Sequence, residues 1–149
     1  MTFDWHESLL VSGDKSGVMA IWDLNRCSMV RAVKSHKGAI SNLKFQEKNG
    51  LILTTGLNDG SIVGVDMRTN SGVHKSMVHK GAVNGLKIVD DLAVTCSADK
   101  TLRVLNLPDF TPLKKIEARD MVFAIEEAHG VIVGGTSGGS IIAADIQTG

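Results

Sequence analysis

The residues from His36 to Asp66, HKGAISNLKFQEKNGLILTTGLNDGSIVGVD, return from His79 to Asn106 as HKGAVNGLKIVDDLAVTCSADKTLRVLN. Both copies open on His-Lys-Gly-Ala and a β-branched residue, then reach a Leu-Lys pair, Leu43-Lys44 and Leu86-Lys87. Each places a Thr four residues before an Asp, Thr55 before Asp59 and Thr95 before Asp99, with an apolar residue, Val65 or Leu105, six beyond that Asp. Repetition limits the architecture before any single residue is interpreted, because each copy must fold as one unit and bury its apolar face on its neighbours. The end of the copy marks four units: Trp22-Asp23, Val65-Asp66, Leu105-Asn106 and Ala144-Asp145, about 40 residues apart.

Every unit contains one short apolar run in register with these anchors: Leu9-Leu10-Val11, Leu51-Ile52-Leu53, Leu92-Ala93-Val94 and Val131-Ile132-Val133. Such runs suit strands buried on both faces. Gly and Asx follow each of them, at Gly13-Asp14-Lys15-Ser16-Gly17, Asn58-Asp59-Gly60, Ala98-Asp99-Lys100 and Ser137-Gly138-Gly139. These residue types supply the positive φ that tight hairpins require. No window keeps apolar residues at i, i+3, i+4 and i+7 over three turns, so a helical solenoid is excluded. A period near 40 built from several short strands predicts an all-β chain of β-propeller blades, each a four-stranded antiparallel sheet.

With Trp-Asp ending one copy and a His opening two, the chain resembles the WD-repeat β-propeller family over essentially all of its 149 residues. The letters depart from that pattern in places: Ser35-His36 and Val78-His79 stand for Gly-His, and only the first unit keeps the Trp. The units run over 1–34, 35–77, 78–117 and 118–149. The first opens in its innermost strand and the fourth stops after its third, so an incomplete ring of about four blades is expected. Its remaining blades would come from the same longer chain or from another chain, because uncovered apolar faces and an unpaired strand edge both invite association.

The resemblance gives the recurring polar residues a structural meaning. His36, Thr55 and Asp59, and again His79, Thr95 and Asp99, correspond to a hydrogen-bond chain from the loop His through a strand hydroxyl and a turn Asp toward the Trp indole. Ser12 and Trp22 represent it in the first unit, where Ser16 replaces the Asp. The fourth unit has Gly134 and Gly138 at the Thr and Asp positions, Ala144 for the Trp, and is expected to be the softest blade. Read as a nucleophile, base and orienter, the trio lacks a nucleophile elbow and an oxyanion hole, and its hydroxyl lies on a buried strand, so no catalytic residue is assigned.

Surface loops are the other candidates. Lys34, Lys37, Lys80 and Arg119 enter the second, third and fourth blades, and Lys15 and Lys100 lie in hairpins on the same face. The plain reading is a solvated rim, with Asp14, Asp59, Asp99 and Asp120 interspersed; the sharper one is a basic patch for acidic peptides or phosphate backbones. Leu53 to Arg68 also resembles the motif by which some WD-repeat proteins dock on a cullin-ligase adaptor, ending in Asp66-Met67-Arg68, with Val65 in place of the expected aromatic.

Composition removes several classes. Zero formal net charge offers no reason to expect a polyanionic partner, and the absence of Tyr with only four Phe leaves few stacking platforms, so nucleic acid is not expected as a partner. Cys27 and Cys96 lack ligand-like spacing and read as free thiols in a reducing compartment. His6, His74 and His129 have no metal-like spacing, no nucleotide fingerprint is present, and neither a metal nor a cofactor is implied. No secretory signal or membrane-length apolar run occurs. The expectation is an intracellular, cytoplasmic or nuclear, non-catalytic scaffold that binds other proteins through its loops. The alternatives are a substrate receptor of a cullin-type ubiquitin ligase and a component of a ribonucleoprotein assembly.

Overall fold

Each apolar run becomes the second strand of its own sheet. The computed structural model describes residues 1–67, 73–107 and 109–146. Among them every regular element is a β-strand, and no helix is long and apolar enough to cross a membrane. Blade 1 consists of β1 (Thr2–His6), β2 (Leu9–Gly13), β3 (Val18–Asp23) and β4 (Ser28–Lys34). Blade 2 consists of β5 (Ile40–Gln46), β6 (Leu51–Gly56), β7 (Ser61–Asp66) and β8 (Val73–Met77). Blade 3 follows with β9 (Val83–Val89), β10 (Leu92–Ser97), β11 (Thr101–Asn106) and β12 (Pro112–Glu117). Among the described residues blade 4 has three strands, β13 (Val122–Ala128), β14 (Val131–Thr136) and β15 (Ile141–Asp145).

Within every sheet the strands pair antiparallel in chain order. The hairpins turn where backbone conformation allows it. One residue of the turn between the second and third strands takes positive φ in each blade: Gly17 (87°), Gly60 (64°), Lys100 (65°) and Gly139 (78°). At Gly60 the close approach is as decisive as the angle, since a Cβ would lie 2.2 Å from the His79 carbonyl oxygen. That crowding has a purpose, because the Gly60 carbonyl accepts hydrogen bonds from the amides of both Val78 and His79 (3.1 and 2.9 Å). Gly17 does the same for Ser35 and His36. With Lys100, whose carbonyl accepts from the Ala118 amide (2.8 Å), the hairpins of blades 1 to 3 therefore anchor the loop that enters the next blade.

The first strands of successive blades touch one another, β1 with β5, β5 with β9 and β9 with β13, so the sheets fan out from a common inner edge. Three apolar layers fill the wedges between them. Val11, Met19 and Ile21 meet Leu43, Ile52 and Val65 between blades 1 and 2. Leu53 and Ile62 meet Leu86, Ala93, Leu105 and Phe110 between blades 2 and 3. Val94, Leu102 and Val104 meet Val122, Ile125 and Ile132 between blades 3 and 4. Burying one such aliphatic side chain stabilises by about 2 kcal/mol, so the layers dominate the cohesion of the fan. Strands such as β6, buried along its whole length, are apolar on both faces because each face belongs to a different layer.

Candidate functional site

The polar residues of blades 2 and 3 converge where the loop enters each blade. In blade 3, His79 Nε2 lies 2.8 Å from Thr95 Oγ1, and its Nδ1 lies 3.1 Å from both carboxylate oxygens of Asp99. Asp99 also accepts from the Thr101 hydroxyl (2.6 Å), the Thr101 amide and the Lys80 amide. A neutral imidazole carrying its hydrogen on Nδ1 satisfies this set: it donates to Asp99 and accepts from Thr95. Burial holds the His79 pKa below its usual value, and the Asp99 charge only partly restores it. Burial pushes the Asp99 carboxyl up, but hydrogen bonds from Thr101 and Lys80 and the proximity of His79 outweigh it, leaving the group at about 2.

Blade 2 repeats the plan with two changes. His36 Nε2 bonds Thr54 Oγ1 at 3.0 Å, one residue before the Thr55 expected from the sequence. The cause is the β6–β7 turn, in which Asp59 lies five residues past the bonded Thr; in blade 3 Asp99 lies four past Thr95. Thr55 faces the other way, and its hydroxyl meets Ser41 Oγ (2.9 Å) and Asn42 Nδ2 (3.2 Å). The second change is a relay. His36 Nδ1 bonds Ser61 Oγ (2.9 Å), Ser61 donates to Asp59 (2.7 Å), and His36 lies 3.6 Å from that carboxylate. Lys75 caps Asp59 from outside at 2.9 Å. Burial is offset at Asp59 by Ser61 and Lys75, which hold the carboxyl well below its usual range. Burial likewise lowers His36.

In blade 1, Trp22 Nε1 donates to Ser12 Oγ at 3.1 Å. Its hairpin is closed by Asp14, which accepts from the Ser16 amide and hydroxyl and from the Val18 amide. Ser61 and Thr101, the first residues of β7 and β11, were not singled out from the sequence. Their signal was a hydroxyl two residues after each turn Asp, the spacing of a local Asx turn.

The rim cations are exposed but differently employed. Lys34 Nζ donates to the Ser16 carbonyl, and Lys100 Nζ to the Arg119 carbonyl (3.1 Å). Lys37, Lys80 and Arg119 are exposed on the entering loops. Asp66 is half-buried at the end of β7, and Arg68 lies outside the described residues. Among the described residues no group of three or more His, Cys, Asp or Glu side chains is placed to hold a metal. Cys96 is buried, which pushes its thiol up to about 12, whereas Cys27 is exposed; both are free.

The outer faces of the end blades stand out by position. Phe3, Trp5 and Trp22 occupy the places that Leu43, Phe45 and Val65 fill in blade 2. Leu43 and Val65 are 1% exposed against blade 1, whereas Phe3, Trp5 and Trp22 are 60%, 63% and 38% exposed. On blade 4, Phe123, Val131, Val133 and Ile141 are exposed on the corresponding far face.

No family model matches the chain. Among curated proteins it is 32% identical over 133 residues to the B-type cell cycle switch protein ccs52A of Medicago truncatula, covering 85% of this chain and 27% of that protein. It is 34% identical over 83 residues to protein FIZZY-RELATED 1 of Arabidopsis thaliana, covering 55% of this chain and 17% of that protein. The chain thus spans about a quarter or less of the relatives it matches. Among solved structures, the computationally designed Ika4 protein superposes with a TM-score of 0.88 over 97% of this chain and 89% of that one, at 19% identity, a likeness of fold alone. Repeat spacing and antiparallel meanders fanned from one edge make the chain a run of β-propeller blades, and the loop His tied to a turn Asp together with these relatives supports a WD-repeat segment.

Proposed function

We propose that the chain works as a non-catalytic protein-interaction module whose entering loops bind partner proteins. Further blades, from its own longer chain or from another, cover its open faces. The observation that carries this reading is the exposed apolar set Phe3, Trp22 and Ile141, at positions that Leu43, Val65 and Ile62 bury in blade 2. Apolar surface left open on the outer faces of blades 1 and 4 is a feature of protein–protein contact. The buried trios support a structural role for the network, since His36, His79, Thr54 and Thr95 are all 5% exposed or less and no substrate reaches them. The names of the relatives, Fizzy-related and cell cycle switch protein, favour a place among cell-cycle regulators. Free thiols at Cys27 and Cys96 suit a reducing, intracellular setting.

The test is site-specific photo-crosslinking in the full-length protein in cells, with the crosslinker at Lys37 or Lys80 and, as a control, at Arg26 in the β3–β4 turn at the opposite end of the blades. Protein adducts at 37 and 80 that are missing at 26 are expected. Equal labelling at all three positions, or none at 37 and 80, overturns loop-mediated binding.

A further inference from the structure

Blade 3 differs from its neighbours at one inward position on its third strand. Register places Ala20 of blade 1, Val63 of blade 2 and Ile142 of blade 4 opposite Ser12, Thr54 and Gly134, and in blade 3 the residue opposite Thr95 is Arg103. Three blades put an aliphatic side chain there and one puts a guanidinium. Arg103 is half-buried, and its Nε is closed off from solvent with no hydrogen-bond acceptor. Leaving a charged donor unsatisfied costs more than leaving a neutral one, so Arg103 gains from an acceptor toward which its half-buried guanidinium can turn.

The surroundings indicate its charge. Arg103 lines a cleft of about 330 Å³ with Lys80, Lys100, Lys115, Asp99 and Glu117. Cross-strand pairing sets Lys115 beside Arg103. Asp99 is saturated by His79, Thr101 and the Lys80 amide, and Glu117 forms a 2.7 Å pair with Lys115 that is exposed and therefore weak. Four cations against two carboxylates leave two positive charges uncompensated. The same place in blade 2 has Val63 for Arg103, Gly60 for Lys100 and Met77 for Glu117, and its lysine, Lys75, is committed to Asp59. The cleft consists of blade 3, the loop entering it and Ala118 at the start of the loop leaving it, so it depends on neither open end of the fan.

We propose that this cleft binds the phosphoryl group of a phosphorylated side chain on a partner protein. A phosphomonoester carries close to two negative charges near neutral pH and offers three acceptor oxygens. Arg103 presents the planar fork that fits such a group, and Lys80, Lys100 and Lys115 surround it with further donors. On arrival the phosphoryl group displaces Glu117 from Lys115. The proposal rests on the chain being a protein-binding module, but its test separates the two.

The experiment is an amide-resolved NMR titration of the full-length protein with inorganic phosphate, with a short phosphoserine peptide and with its unphosphorylated form. Saturable shifts at the Lys80, Lys100 and Thr101 amides are expected with phosphate and, at lower concentration, with the phosphopeptide, weakening as salt is raised. Arg103→Val, which installs the blade 2 residue, is expected to weaken phosphopeptide binding at least tenfold; Lys115→Gln, on the exposed outer strand, covers the case in which that variant does not fold. No saturable shift with phosphate overturns the site even if crosslinking finds loop partners. Equal binding of the unphosphorylated peptide, tighter binding of single-stranded RNA at the same amides, or unchanged affinity in both variants overturns the assignment.

Discussion

Blades 3 and 4 follow one strand pattern and fill its polar positions differently. In blade 3, Thr95 and Asp99 hold His79 between them, and the loop is fastened to the hairpin by side chains as well as backbone. In blade 4 the same positions are Gly134 and Gly138, and no His stands in the entering loop, residues 118–121. A Cβ at 138 would lie 2.4 Å from an Asp120 carboxylate oxygen, so a side chain there requires Asp120 to turn aside. The meander of β13, β14 and β15 nevertheless forms, and Val122, Ile125 and Ile132 seal it to blade 3. Apolar layering is therefore enough to specify a blade, and the buried polar network has a narrower task. It fixes where each loop crosses the hairpin below it, and with that the position of any residue the loop presents.

The largest expected difference concerns the hairpin glycines. Gly60→Ala drives a Cβ into the His79 carbonyl at positive φ and is expected to cost about 3 kcal/mol. Gly139→Ala, with the same sign of φ but nothing within 4 Å of the added carbon, should cost about 1 kcal/mol. Urea unfolding of the two variants measures the gap, and equal losses would show that the loop contact in blade 2 contributes nothing.

Next comes Asp99→Ala, expected to cost about 2 kcal/mol or more because it leaves His79, Thr101 and the Lys80 amide without their acceptor. Asp120→Ala in blade 4 should cost less than about 1 kcal/mol, and thermal unfolding distinguishes them. Acid tests the same contrast. His36 and His79 titrate below 6.5 in the fold, so the stability they contribute is complete above 6.5 and declines as the pH falls beneath it. Asp99, at about 2 against an ordinary 3.8, contributes fully above 3.8 and loses its share as the pH falls toward 2. Tm should therefore fall in two stages on acidification; a profile flat from pH 7 to pH 5 would contradict the buried neutral imidazoles.

Smaller again is the contrast within one strand. Thr54→Val removes the donor to His36 Nε2 and is expected to cost about 1 kcal/mol and to shift the His36 titration, followed by NMR. Thr55→Val disturbs only Ser41 and Asn42 and should leave that titration in place. The smallest effect is a gain: Lys100→Gly relieves a side chain held at φ 65° and should add up to about 0.5 kcal/mol, read from the urea midpoint.

The Thr54 case shows where sequence stops being legible. Counting back from the turn Asp selects Thr55, because the two copies match in that count; the fold counts along the strand from the apolar run, and there Thr54 matches Thr95. A doublet of identical residues hides the difference, and only the turn length reveals it. The period, the apolar runs at Leu51–Leu53 and Leu92–Val94, and the positive-φ turns were readable because each depends on neighbours close in the chain. Arg103 beside Lys115 was not, since their meeting depends on a cross-strand register with a shift between Val104 and Leu105 that no local residue announces. The burial of Phe110 against Gly64 of the preceding blade is likewise a fact of packing, not of pattern.

Because each sheet is completed by consecutive strands before the next one starts, no hydrogen-bonded ladder among the described residues spans two repeats. A whole module can thus be duplicated, exchanged or removed at a connecting loop without re-pairing a single strand elsewhere. What such an event must preserve is only the fit of two apolar wedges. The architecture is in this sense open to growth by copying, and a lone substitution such as Arg103 can give one module a new task while its siblings keep the scaffold unchanged.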